Sequence, residues 1–340
     1  MSAKADEVEV IMDHQTSLLR PMSFGTILDY TFRTYRKYFA AIFLFSLILI
    51  GVINTIYVIG QNAYGLDTIN QNPLDRYLDI FQGNYSNNEF TIEPKNPAMD
   101  LSSLASMLML SLLYGIISGF IITPFVQGGI TCAGEHFLTN RDISLKWLFS
   151  TSLNKFGRLI VTGMSLFVYY IAAAMCFMIV SVIIVFPISF ILAPAFIRGA
   201  GGLSVAIISL FFICMVVLLL SIIISLSSLT YSVVMFENKF HFNAIIRSFQ
   251  LAGRRFWKSA GITIIVYIIL FILTSAFEAL TALPFISDFL SYNMLTGIVQ
   301  VFIGVLVTPI IYIAFSILYF DIRIRTEGYD IESMVSTAQD

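Results

Sequence analysis

Few residues in this chain have the types and spacing that chemistry needs. His14, His136 and His241 are scattered, and no HExxH pair, clustered carboxylates or Cys/His set accompanies them. Neither a zinc site nor a hydrolase centre is therefore expected. Cys132, Cys176 and Cys214 lie inside apolar runs without CxxC spacing. That excludes a disulfide framework and makes them small hydrophobic residues. No glycine-rich phosphate loop is present, so an ATPase would have to be a separate chain, and no cofactor is expected. An ionisable group within an apolar run is a functional candidate by default. Glu278 is the clear case. It either lines an aqueous path, pairs across helices or reaches the outer interface.

The remaining chemistry is electrostatic. Arg33, Arg36, Lys37, Lys155, Arg158, Arg247, Arg254, Arg255 and Lys258 fall on the polar faces of three amphipathic stretches. In the clearest, from Asn243, the residues Ile245, Ile246, Phe249, Ala252, Gly253, Phe256 and Trp257 share one helical arc at about 100° per residue. The basic residues take the other arc, and Leu251 is out of place. Such a helix lies at a membrane surface with its charges toward water or lipid phosphate. The nine cations are thus candidates for contact with anionic lipid or a protein partner. A formal net charge of −2 gives no case for nucleic acid.

The elements that position these residues follow from composition. The chain is 58% hydrophobic and 12% charged, about half the charge of a soluble domain. Runs of more than about 18 uncharged residues mark membrane spans. Six are predicted, at about 40–60, 101–137, 159–186, 203–236, 259–283 and 294–320. Residues 1–19 read as a cytoplasmic tail without a signal-peptide pattern, 61–100 as an extracytoplasmic loop, 20–325 as the membrane domain and 326–340 as a second tail. Pro124 and Pro309 are expected to kink their helices, and Pro187 to end or bend its own. Gly115 and Gly119 form a GxxxG that would let a helix approach closely. The serines of span four, Ser221, Ser225, Ser227 and Ser228, read as packing between helices.

With six spans, sixteen of the nineteen Lys and Arg fall on the side of the termini. The positive-inside rule then makes both termini cytoplasmic and the host a plasma membrane. The amphipathic stretches begin at Ser23, Ser144 and Asn243, and each precedes two spans. The expected architecture is all-α, with three repeats of one interfacial helix plus two spans. Glu135, Glu237 and Asp321 each stand where a second span ends. A carboxylate opposes the macrodipole there, so each either pairs with a cation from an amphipathic stretch or simply marks where a span meets water.

Three segments carry a family likeness: Leu19-Arg20-Pro21-Met22-Ser23-Phe24-Gly25, Arg247-Ser248-Phe249 through Arg255-Phe256-Trp257, and Tyr319-Phe320-Asp321-Ile322-Arg323-Ile324-Arg325-Thr326-Glu327-Gly328-Tyr329-Asp330. Together they resemble a bacterial family of polytopic membrane proteins similar to the membrane domain of some glycerophosphoryl diester phosphodiesterases. In the fused enzymes catalysis belongs to a soluble barrel that this chain lacks, so the resemblance implies no such activity here. The expected function is a non-enzymatic scaffold or accessory subunit of an envelope or export assembly, in contact with membrane lipids and protein partners. The alternative is a permease subunit for a lipid-like or peptide cargo working with a separate ATPase.

Overall fold

The computed structural model describes residues 21–63, 101–139, 141–195, 210, 212, 215–216, 219–281 and 293–328. Among them the chain is all-helical. The sequence readings on 1–19, on 64–100 with its loop, on Cys214, and on the final tail beyond Gly328 lie outside the described residues. In chain order the helices are α1 (Phe24–Lys37), α2 (Phe39–Ser46), a π-helical turn (Leu47–Gly51), α3 (Val52–Ala63), α4 (Leu101–Ile116), a second π-turn (Ile117–Ile122) and α5 (Thr123–Leu138). Then come α6 (Leu145–Asn154), α7 (Phe156–Ala195), α8 (Thr230–Phe236), α9 (Phe242–Arg254), α10 (Phe256–Thr281) and α11 (Asn293–Glu327). Six stretches are long and apolar enough to cross a membrane: Phe39–Gln61, Ala105–Leu138, Phe156–Val180, Leu219–Phe236, Phe256–Leu280 and Leu295–Glu327.

Three short amphipathic helices, α1, α6 and α9, each turn into a long apolar one through a single residue. Those residues are Tyr38, Lys155 and Arg255, with φ/ψ of −110/22, −115/13 and −132/44. Each N–H bonds back into the helix before, to the carbonyls of Thr34, Ser152 and Ala252. Each carbonyl accepts from the residue four further on, Ile42, Leu159 and Ser259. One residue thus closes one helix and opens the next, so the bend leaves few backbone groups without a bond. A phenylalanine follows every elbow (Phe39, Phe156, Phe256). The long helices start at Phe156 and Phe256, three residues earlier than the hydropathy runs predict. Arg158 and Lys258 therefore ride on the first turn of a long helix, not on an amphipathic one.

The starts are also set locally. Ser23 Oγ accepts from Thr26 N–H and Ser144 Oγ from Trp147 N–H, both in the manner of an N-cap serine. Before α9, His241 holds φ 64 and its Nδ1 accepts from Phe242 N–H. Its own N–H donates to Thr162 Oγ1, which ties this loop to α7.

Helix α11 is the centre. It packs on α5, α10, α1 and α3, and Ile313, Ala314, Ile317, Leu318 and Tyr319 along it are completely buried. Its crossing with α5 is close because Gly134 faces Ser316, whose Oγ donates to Thr131 O at 2.5 Å. Gly128 and Gly129 likewise admit Leu159 and Phe45. Gly115 and Gly119 do not form the close approach expected of them: nothing lies within 4 Å of a Cβ built on either.

The prolines behave differently from one another. The π-turn Ile117–Ile122 comes immediately before Thr123-Pro124, where the missing N–H of proline would otherwise break the ladder. Pro309 lies buried inside α11. Helix α7 does not end at Pro187 but continues to Ala195. Span four is interrupted by a turn at Ser228 and Leu229. Its serines stitch the break. Ser228 Oγ donates to Ser225 O, Thr230 Oγ1 to Ser227 O, Ser248 Oγ of α9 to Leu226 O, and Ser225 and Ser259 bond across to α10. Ser225 thus joins span four to α10, whereas the Ser228 bond stays within span four.

The amphipathic helices dock on the bundle. In α1 the stripe Ile27, Thr31, Thr34 and Tyr38 is buried, while Asp29, Arg33, Arg36 and Lys37 are exposed. In α9, Ala244, Ile245, Ser248, Leu251 and Ala252 are buried and Ile246 is exposed. Leu251, misplaced for a helix with a single apolar face, is 0% exposed.

Candidate functional site: the charged end of the bundle

The three elbows gather at one end with the C-termini of α5, α8 and α11. Tyr38 Oη donates to Arg141 O at 2.5 Å, and Lys155 Nζ to Met235 O. The strongest knot lies around Asp321, which is fully buried. Its carboxylate accepts from Lys258 Nζ at 2.5 Å, from Arg325 Nε at 3.1 Å and from Met22 N–H at 2.7 Å. The Met22 carbonyl in turn accepts from Lys258 Nζ (2.6 Å) and Arg325 Nη2 (2.7 Å). The peptide just before α1 is thus clamped between the third elbow and the last helix.

A second network adjoins it. Glu237 accepts from Arg247 Nε at 2.8 Å and from Tyr319 Oη at 3.1 Å, and pairs with Lys239 at 3.2 Å. Arg247 also reaches Glu327 at 2.5 Å, and Glu327 takes Arg323 at 3.1 Å. Burial raises the Glu237 pKa, but the hydrogen bonds and charges of Arg247 and Lys239 outweigh it and hold the carboxyl below its usual range. Arg247 is likewise desolvated, yet Glu237 and Glu327 keep it more firmly charged than a free arginine. Burial is the main cause that lowers the pKa of Lys155.

The sign of the Glu237 shift fixes a pH dependence. A depressed carboxyl pKa stabilises the fold fully above the unfolded value, near 4.5, and that contribution is lost as pH falls through the lower folded value. Glu237→Gln should therefore melt below wild type at pH 7, with a gap that narrows as detergent-solubilised protein is acidified below about pH 4.5. A gap independent of pH would contradict the assignment.

The candidate cations separate into two groups. Arg247 and Lys258 are held in the networks, Lys155 by a backbone carbonyl, and Arg158 by Asn238 Oδ1 at 2.9 Å beneath the Phe240 ring. Arg33 pairs with Asp29 on the exposed face of α1, and Arg36 and Lys37 are exposed beside it. Arg254 stands at 3.8 Å from Glu327 with its side chain 55% exposed, and Arg255 is exposed, its guanidinium making no hydrogen bond or ion pair among the described residues. The carboxylates expected to pair do so at Glu237 and Asp321. Glu135 has no ion pair among the described residues; Arg141 and Lys155 act on it through their charge. Glu278 is exposed on α10.

Sequence reasoning missed Tyr319, Arg323, Arg325 and Glu327 as members of the site. The pairs Asp321–Arg325 and Arg323–Glu327 are both i,i+4, a spacing that does signal contact on a helix.

No group of three or more His, Cys, Asp or Glu among the described residues is arranged to hold a metal. A shallow cleft among them, between Leu28, Thr31, Phe32, Val266, Ile269 and Ile310, is lined by Thr31 and apolar side chains and has no room for a water molecule. Six apolar helices on an all-helical frame define a multi-pass membrane protein. Comparison with protein-family models, with curated proteins and with solved structures finds no match to this chain.

Proposed function

We propose that the chain is a non-enzymatic membrane scaffold, or an accessory subunit of a cell-envelope or export assembly. The observation that carries this reading is the use made of its polar groups. Asp321, Glu237 and Glu327 each hold two or more partners within the chain, so the best-built polar chemistry closes the bundle on itself. Three elbows of like geometry support a build of three repeated units, each an amphipathic helix and two spans. The excess of Lys and Arg at the elbow end supports a cytoplasmic location for that end and for both termini, in the plasma membrane. The likeness of the closing Tyr319–Asp330 segment to barrel-free relatives of the phosphodiesterase membrane domain fits a non-catalytic role.

The permease alternative draws on the interruption at Ser228–Leu229. There the serines bond inside the bundle, which gives a cargo little to replace.

Gentle extraction and purification of the full chain should yield a complex of fixed stoichiometry with another envelope protein. The chain alone in vesicles should move no lipid or peptide probe. A chain that purifies alone, and that drives probe movement when an ATPase is added, would overturn the scaffold reading.

A further inference from the structure

We infer that the third elbow, between α9 and α10, is a binding site for an anionic phospholipid, with Arg254 and Arg255 on the phosphate and Trp257 at the glycerol level. The inference rests on the membrane reading above and narrows it to one site. Charge is the first observation. Among the described residues around α9 and the end of α11, seven cations (Lys239, Arg247, Arg254, Arg255, Lys258, Arg323, Arg325) meet three carboxylates (Glu237, Asp321, Glu327), an excess of four positive charges. Five of the seven are close-paired. The surplus falls on Arg254, which is only loosely near Glu327, and on Arg255, whose charge bears unfavourably on the neighbouring Lys258. An anion beside Arg255 would offset that repulsion, and the planar forks of Arg254 and Arg255 are suited to donate to it.

The second observation is the surface beneath them. Trp257 is 85% exposed, the most exposed of the large hydrophobic side chains described. It begins a stripe along the outer face of α10 through Ile264, Ile268 and Phe271, all exposed. Trp257 to Phe271 spans about 21 Å of helix, more than the ~15 Å of hydrocarbon in one leaflet. Phe24 of α1, 42% exposed, packs on Gly261 and walls the stripe on one side. An indole between a basic pair and an apolar track has the order of a phospholipid: phosphate, glycerol, acyl chain. Free phosphate would match the arginines but would leave Trp257 and the stripe unexplained. The other elbows lack this combination. Lys155 is turned inward, and Arg36 and Lys37 are followed by buried Tyr38.

The test uses the full chain in phosphatidylcholine vesicles doped with brominated phosphatidylglycerol or, at equal level, brominated phosphatidylcholine. Fluorescence is read with Trp147→Phe, or as the difference between wild type and Trp257→Phe should that variant not fold. Brominated phosphatidylglycerol should quench Trp257 at roughly tenfold lower content than its zwitterionic counterpart. Arg254→Gln/Arg255→Gln should abolish the difference, whereas Arg36→Gln/Lys37→Gln should keep it. Equal quenching by both lipids, or a preference unchanged by the arginine replacements, overturns the site while leaving the membrane reading intact. No quenching by either lipid refutes the membrane reading itself. Displacement of brominated phosphatidylglycerol by millimolar inorganic phosphate would assign the arginines to a free anion and overturn the lipid assignment.

Discussion

Asp321→Asn should destabilise the protein more than any other single exchange at the charged end. The substitution keeps the shape of the side chain and removes its charge. Lys258 and Arg325, with side chains only 13% and 27% exposed, are then left without their counter-ion. Removing one partner of a buried pair costs about 3–5 kcal/mol, and here one carboxylate serves two cations and a backbone N–H. Thermal unfolding in mild detergent should show a steep loss. A Lys258→Met background should absorb much of it, because one of the stranded charges is then gone. If Asp321→Asn melts with the wild type, the knot does not hold the fold.

Gly134→Leu should be the second large effect, through shape instead of charge. A Cβ at this position lies 2.8 Å from Ser316 Cβ, and both belong to helices that cross at the centre of the bundle. Neither backbone can move without disturbing the Ser316–Thr131 bond and the buried residues beside it. Overpacking of a filled site costs about 1–3 kcal/mol, and a whole isobutyl group belongs at the upper end. At Gly115 and Gly119 an added Cβ meets nothing within 4 Å, and Gly115→Leu and Gly119→Leu should change the melting by no more than about 0.5 kcal/mol. The comparison separates a glycine that holds a crossing from a glycine that merely fits a motif. If all three variants melt alike, the crossing is not as close as described.

Much of this architecture was legible in the residues. Six apolar runs, three amphipathic stretches and the serine stitching of span four all correspond to what is seen. The second and third long helices start three residues before hydropathy places their spans, because a bend made by one residue does not change the apolar pattern on either side of it. Contacts between apolar side chains were the least legible. Leu251 looked misplaced because lipid and protein interior are equally apolar. Periodicity therefore cannot separate a face that touches helices from a face that touches acyl chains, and α9 has both. At the charged end, Glu237 and Asp321 were readable from their recurrence at span ends, and Arg323 and Arg325 could have been read from i,i+4 spacing. Met22 could not, because it enters the knot through its peptide group, which carries no signature in sequence.

That peptide group has a consequence in time. Met22 N–H and the Asp321 carboxylate are 299 residues apart in the chain. At ~5–20 residues per second, about 15–60 s pass on the ribosome between the synthesis of one and the other. Through that interval α1 exists without α11, one of the helices on which it packs. An amphipathic helix is the kind of segment that can wait at a bilayer surface meanwhile. Assembly of the bundle thus ends where it began, when the last helix brings Asp321 to the peptide before the first.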